Sequence, residues 1–310
     1  MNNVLKKLTI LTLTFGFFIF TSPVITLAQS LEGSGFSISP PSFDLNANPG
    51  DVIKNSIKVI NVSAKDLNIK VRAENFIAYG EGGQVALTEE ESTYSISKWL
   101  EFKNTEFIVK PGETHLFEFT LNIPTNAEPG SHYGSVVFST APSNSLTGSG
   151  ASILQEIGAI ILIRIPGNVT ESATLTSFNP SQQTYTEPKV QLTALVENTG
   201  SVHFKPYGFI HIRDLFGNKV QTIEVKGRNI LPGSKRLFDE TFDFEYIGLF
   251  KAELELFYKD GQEVIRGETS FVALNQSKSV PIAVGSVAAI AFYIIFRKRI
   301  NKAIKVVVKG

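Results

Sequence analysis

From residue 36 onward the apolar residues recur at every second position rather than every third or fourth. Leu67, Ile69, Val71 and Ala73 alternate with Asn68, Lys70, Arg72 and Glu74, and Phe117, Phe119, Leu121 and Ile123 alternate with Glu118, Thr120 and Asn122. Successive side chains of a strand point to opposite faces, so this period gives each segment one apolar and one polar face. The second half repeats the habit, with Val190, Leu192, Ala194 and Val196 against Gln191, Thr193 and Glu197, and Phe250, Ala252, Leu254 and Leu256 against Lys251, Glu253 and Glu255. Asp260-Gly261 between Tyr258 and Val264 reads as a hairpin, and Pro-Gly pairs at Pro49, Pro111, Pro129 and Pro232 punctuate the strands. Many short strands at this spacing predict an all-β fold of two immunoglobulin-like β-sandwich domains.

An internal repeat supports two copies of one topology. Val109-Lys110-Pro111-Gly112, running on to Leu116 and Phe117, aligns with Ile230-Leu231-Pro232-Gly233, running on to Leu237 and Phe238. Upstream of each, a strand ends at an asparagine, Asn61 or Asn198. The Asn-to-Pro separation is 50 residues in the first copy and 34 in the second, so the first carries about sixteen extra residues. These fall between Tyr79 and Ser97, a loop insert near 79–97 with Gly80, Gly82 and Gly83, the acids Glu89, Glu90 and Glu91, and then a short helical turn from Ser95 to Leu100 that carries Trp99. Residues 29–167 form the first domain and 168–275 the second, joined at Pro166-Gly167-Asn168. Ala141 to Ser152 reads as a flexible flap, and the Ile-rich run 153–165 as a fully buried central strand.

The two ends decide the compartment. Lys6 and Lys7 precede an apolar run from Leu8 to Phe20, and Thr26-Leu27-Ala28 supplies small residues at −3 and −1, so residues 1–28 read as a signal peptide cleaved between Ala28 and Gln29. An uncleaved N-terminal anchor is the competing reading. Residues 280–296 carry no charge and, as a helix, span about 25 Å, the short end of a transmembrane helix. Arg297, Lys298 and Arg299, followed by Lys302, Lys305 and Lys309, make 297–310 a basic tail expected in the cytoplasm. The chain is thus expected to be a single-pass protein of the cell membrane, with 29–279 extracellular and the membrane reached through the C-terminal helix.

Outside the signal segment and the tail stand 21 Lys and Arg against 29 Asp and Glu, a net charge of about −8, which argues against nucleic acid or a polyanionic polymer as main partner. The absence of cysteine removes disulfides, thiolate metal sites and thiol chemistry, and fits a bacterial envelope protein better than an animal cell-surface one. Sequons at Asn61, Asn168 and Asn275 matter only in a glycosylating host.

Chemistry-bearing patterns are sparse. His115, His132, His203 and His211 have no second ligand at metal-binding spacing, and no HExxH or GxSxG occurs. Gly80-Glu81-Gly82-Gly83 lacks the third glycine and the helix of a phosphate loop. Ser149 sits between glycines in the flap, and Glu89 to Glu91 read as a solvated edge. No catalytic, cofactor-binding or metal-ligating residue is assigned. Trp99, the sole tryptophan, can stack on a sugar ring or pack beside Leu100 and Phe102, and the second reading is favoured; Tyr79 and Tyr94, which bracket the insert, share that ambiguity.

Phe43-Asp44-Leu45, Asn48-Pro49-Gly50-Asp51, Ile57 to Asn61, Val109 to Glu113 leading into Phe117 to Pro124, and Pro129-Gly130 with Tyr133-Gly134 resemble the first domain of the WxL-interacting protein family of Gram-positive-type cell surfaces. The plan of signal peptide, two immunoglobulin-like domains, one span and a basic tail is similar too. That resemblance implies a membrane-anchored surface protein whose first domain associates with peptidoglycan and whose second contacts WxL-type surface proteins or host ligands. The expected function is therefore that of a non-enzymatic binding or scaffold protein contacting cell-wall polymer or another surface protein, with the insert and flap as contact surface. The alternative is a pilus-chaperone-like assembly factor acting by β-strand addition.

Overall fold

The computed structural model describes residues 35–140 and 154–309. The expected signal peptide with its cleavage site at Ala28 and Gln29, and the flap, lie outside the described residues. The chain folds as two immunoglobulin-type β-sandwiches followed by one apolar helix.

In the first sandwich one sheet runs β1 (Phe36–Ser39), β3 (Val52–Asn61), β8 (Thr114–Asn122), β6 (Leu100–Phe102). The other runs β2 (Ser42–Asn46), β10 (Glu156–Ile165), β9 (Gly130–Thr140), β4 (Leu67–Tyr79), β5 (Gln84–Thr88), with β7 (Glu106–Val109) also on β4. Pro40 and Pro41, which cannot donate to a ladder, carry the chain from the first sheet to the second. The alternating residues meet between the sheets: Phe117 of β8 stands edge-on to Phe138 of β9 at 5.2 Å, and Phe119 edge-on to Phe43 of β2 at 5.5 Å. Burying each such side chain is worth about 1.5–3 kcal/mol.

The second sandwich faces β11 (Ala173–Pro180), β13 (Lys189–Asn198) and β16 (Lys235–Asp243) against β12 (Thr184–Tyr185), β18 (Glu263–Ala273), β17 (Gly248–Tyr258), β14 (Tyr207–Arg213) and β15 (Lys219–Val225). Val190, Leu192, Ala194 and Val196 all lie inside, as do Phe250, Ala252, Leu254 and Leu256. β10 ends at Ile165 and β11 begins at Ala173, so the domains join between them.

The internal repeat is a repeat of one hydrogen-bonded knot. Asn61, at the end of β3, is 1 % exposed, and its side-chain N–H groups donate to the carbonyls of Lys65 (2.7 Å) and Val109 (2.8 Å). Asn198, at the end of β13, is fully buried and donates to Val202 (2.8 Å) and Ile230 (2.9 Å) in the same way. The backbone carbonyl of each asparagine accepts the N–H of the turn glycine, Gly112 at 3.1 Å and Gly233 at 2.9 Å. Those glycines have φ of 71° and 69°, which the third position of a proline-led type II turn requires. Burial at Asn61 and Asn275 leaves neither sequon open to modification.

The insert differs from the expected outward loop. β4 continues to Tyr79, turns through Gly80 to Gly83 and returns as β5, because Phe76, Ala78, Val85 and Leu87 sustain a two-stranded ribbon beyond the sandwich. At the other end Leu274 donates its N–H to the Tyr185 carbonyl at 2.8 Å, Asn275 is buried, and helix α1 (Gln276–Lys309) begins at once. Its stretch Ser279–Arg297 has a mean hydropathy of 2.1 and is long and apolar enough to cross a membrane. The helix does not stop at Arg297 but runs on through the basic tail, since lysine and arginine are good helix formers.

Removing one knot leaves buried carbonyls unpaired. Asn198→Ala should therefore lower the stability of the full chain in detergent by about 2–4 kcal/mol in urea unfolding. A loss under about 0.5 kcal/mol, the range of ordinary surface substitutions, would show the knot to be dispensable.

Candidate functional site

The seam between the sandwiches brings buried polar side chains of both domains together, Ser131 of the first and His203 of the second. His203, in the loop before β14, reaches across to the first domain. Its Nδ1 lies 2.6 Å from Ser131 Oγ and its Nε2 lies 3.0 Å from Asp44 Oδ1 on β2. The neutral tautomer with the proton on Nε2 satisfies both: Ser131 donates to Nδ1 and Nε2–H donates to Asp44. A serine, a histidine and an aspartate in line suggest a nucleophilic triad, but the geometry is that of a latch. Ser131 is fully buried, and its Oγ also accepts the backbone N–H of His203 at 2.6 Å. No substrate carbonyl could approach it. The hydrogen bond from His203 holds the Asp44 carboxyl below the usual carboxylate value, against the opposing effect of burial.

Three further ties close the same seam. Ser131 donates its N–H to the Ser201 carbonyl at 3.0 Å, Leu237 of β16 donates to the Glu81 carbonyl of the β4–β5 turn at 2.7 Å, and Arg164 pairs with Glu171 of the linker at 2.6 Å. Between the polar ties, Leu231 of the second domain packs against Phe76, Tyr133 and Leu162 on the outer face of the first. That contact explains why Tyr133 of β9 and Leu162 of β10 are buried although they point away from the core.

Two hollows lie along the seam. A cleft of about 420 Å³ is lined by Asp44, Arg164, His203, Lys205, Tyr258 and Lys259 among others. A smaller pocket of about 230 Å³ has an apolar wall of Phe76, Ala78, Val85, Ile160, Leu162 and Leu231. At its mouth Arg236 lies over the β4–β5 turn against Gly83, whose φ of 78° is a left-handed conformation that favours glycine. Arg236 Nε and Asn229 Oδ1 have no hydrogen-bond partner among the described residues. The pocket can thus take an apolar group that also carries hydrogen-bonding atoms, as a segment of polypeptide does.

A third feature is an open strand edge. β2 pairs with β10 only from Ile160 to Arg164, whereas β9 pairs with β10 from Glu156. The backbone groups of Glu156 and Gly158 point to the β2 side, as those of Ile160 do, and meet no partner strand among the described residues. Beyond them Leu154 is 57 % exposed.

The residues singled out from the sequence do not converge. Tyr94 stacks on Tyr133 (5.6 Å, 11° between planes), whereas Trp99 packs against the core and against the ring of His132 at 4.8 Å. Tyr133 and His132 are successive residues of β9, so the two aromatics lean on opposite faces of one strand. Tyr79 is exposed at the far end of β4. Burial pushes the Tyr133 phenol up to about 12, with Tyr94 adding to the shift, so it stays protonated. His115 stacks on Phe107, and His211 on β14 meets Thr222. Arg297 lies on α1, the side chains of Lys298 and Arg299 are not among those described, and no group of three or more His, Asp or Glu that could hold a metal occurs among the described residues. Spacing could not reveal the latch, since Asp44, Ser131 and His203 are distant in sequence.

Neither a family model nor a curated protein matches the sequence. Among solved structures, the chain is similar to the class 5 fimbriae chaperone CfaA at 16 % identity over 77 % of this chain and 99 % of that one, with a TM-score of 0.41. It is also similar to the E. coli chaperone DraB (10 % identity, 76 % and 97 % covered, TM-score 0.36) and to the Pseudomonas aeruginosa CupB2 chaperone (10 %, 76 % and 100 %, TM-score 0.32).

The depressed Asp44 value carries a sign. Its contribution to the seam is complete above the usual carboxylate value of about 3.9 and is lost as pH falls through the lower folded value. Amide exchange of Gly130 to Tyr133, referred to the intrinsic rate, should accelerate only below that range, and Asp44→Asn should abolish the acid step. An identical acid profile in the variant would assign the step to another group.

Proposed function

We propose that this chain is a non-enzymatic, membrane-anchored binding protein of the bacterial cell envelope that takes up an extended segment of a protein partner by strand addition. The observation that carries the reading is the overhang of β10. Among the described residues, backbone donors and acceptors at Glu156 and Gly158 stand open in line with β2, beside Ile157, which packs against the sandwich core, and Ala159, which is buried in it. A segment paired there would gain ladder hydrogen bonds and send alternate side chains toward that core. The latch supports the reading, because a binding edge on a rigid two-domain body loses little conformational entropy on binding. In this arrangement α1 spans the membrane, the sandwiches lie outside and the basic end lies inside.

The scaffold and assembly readings differ in the fate of the partner, held or passed on, and share this mode of contact. The resemblance to the WxL-interacting family proposes WxL-type surface proteins as the partner class. It also proposes a peptidoglycan contact for the first domain, for which the exposed Tyr79 and Tyr94 are the aromatic candidates.

A photo-crosslinking residue placed at Leu154 in the full chain, in native membranes, should capture a protein through an extended segment, while the same probe at Lys226 should not. Glu156→Pro, which removes one outward N–H at the first position of the strand, should reduce capture about tenfold, and Glu156→Gln should not. Capture unchanged by the proline variant would refute strand addition at this edge.

A further inference from the structure

The end of the second domain from which α1 departs carries exposed apolar side chains that the proposed function does not use. β14 runs toward this end with Arg213 opposite Lys251, and three residues further along β17 Gly248 stands opposite Ala273, the last residue of β18. The β14–β15 turn continues past Arg213 toward that same end, closed by the Asp214 N–H donating to the Asn218 carbonyl at 3.0 Å. Its tip therefore projects from the end at which Ala273 leads, through Leu274 and Asn275 alone, to the helix.

At that tip Leu215 is 70 % exposed and Phe216 is 90 % exposed. Beside them, in the loop before β17 and at its start, Tyr246, Ile247 and Leu249 are also exposed. The Tyr246 hydroxyl donates to the Val220 carbonyl of β15 at 3.3 Å, which ties that loop to the hairpin. The tip is built to hold its shape: Asp214 Oδ1 accepts the N–H groups of Phe216 and Asn218, both at 2.9 Å, and Arg213 donates to the Gly217 carbonyl at 3.0 Å. These bonds, that of the Asn218 side chain foremost, hold the Asp214 carboxyl below its usual value and turn the acid onto the turn's own amides. The other charged groups here include Arg213, paired with Glu253, Lys251, paired with Glu253 and Glu268, and the exposed Lys219 next to the tip.

We infer that the Leu215–Phe216 tip, with Tyr246, Ile247 and Leu249, is a foot that seats the second domain on the lipid surface. This rests on the reading that α1 spans the bilayer. The occupant follows from that placement: a span leaving the same end after two residues, with Leu274 bonded to Tyr185, brings a bilayer within reach of the tip when the domain tilts on its short leash. Aromatic and aliphatic side chains on a rigid turn, with a lysine beside them, suit the boundary between headgroups and acyl chains. The foot fixes the tilt of the domain on the membrane, and through the latch the direction in which the first domain presents its open edge.

The chain has no cysteine, so a single introduced thiol reports cleanly. Full-length Phe216→Cys, Leu215→Cys and, at the opposite end of β15, Lys226→Cys would each carry a polarity-sensitive dye in phosphatidylcholine–phosphatidylglycerol vesicles. Dye at 215 and 216 should shift to the blue and lose roughly half its emission to lipid-borne nitroxides, while dye at 226 should do neither. Aqueous spectra at 215 and 216 in vesicles that keep the protein through a carbonate wash would overturn the foot and leave the anchor standing. Release of the protein by carbonate would overturn the anchor and the foot together.

Discussion

Both domains hang on a buried asparagine at the end of a strand. Its side chain completes two carbonyls that the neighbouring loops would leave bare, and its backbone carbonyl holds the glycine of a Pro-Gly turn. Inside a sandwich an unmet carbonyl costs about 1–3 kcal/mol, so the asparagine closes one end of each core where the strands run out. The tie also determines where the residue before the proline goes. In the first copy that residue is Lys110, in solvent; in the second it is Leu231, which the turn drives against Phe76, Tyr133 and Leu162. One motif, held by the same bonds, serves as a surface turn in one domain and as the apolar plug of the seam in the other.

The seam converts two sandwiches into one body. The apolar plug lacks direction, since burial is proportional to area and tolerates sliding. Direction comes from the polar ties around it, above all His203 gripping Ser131 and Asp44, whose angular demands fix how the domains face each other. The same reasoning separates the latch from catalysis. A nucleophile must meet its substrate, whereas Ser131 is sealed and already engaged on both sides.

Alternation in the sequence was enough to read the sandwiches, because a two-faced strand needs only a period of two. It fails at Phe76, where β4 buries Asn75 and Phe76 in succession; the second face is covered by another domain, and nothing local announces that cover. The Ile-rich run was legible as a strand, but its expected burial on both faces holds only around Leu162: Leu154, Glu156 and Gly158 are exposed and Ile160 and Arg164 half-buried, because Leu231 of the second domain covers the outer face only there. Asn61 and Asn198 were legible as strand ends without their chemistry, since their partners lie four residues and then 48 or 32 residues on. The long apolar helix was legible from composition alone. Its continuation into the basic tail was not, because the loss of apolar character ends a membrane span but does not end a helix.

Strand edges that stay open invite aggregation, and the other edges of this fold are mostly blunted. β1, β7, β6 and β12 are four, four, three and two residues long. β16 has Leu237 bonded to the β4–β5 turn, β15 has Tyr246 on Val220, and β11 is bulged between Leu175 and Ser177 and ends in Pro180. β2 carries Asp44 at its centre, already held by His203. Among the described strands two longer stretches remain, β5 and the overhang of β10. A strand added to β5 would lie on a ribbon that has left the sandwich and would cover no core. A strand added to β10 would lie in line with β2, beside Ile157 and Ala159, and would extend a sheet that already has a second sheet facing it. Backbone pairing together with burial, rather than backbone pairing alone, distinguishes the overhang from β5 among the described strands.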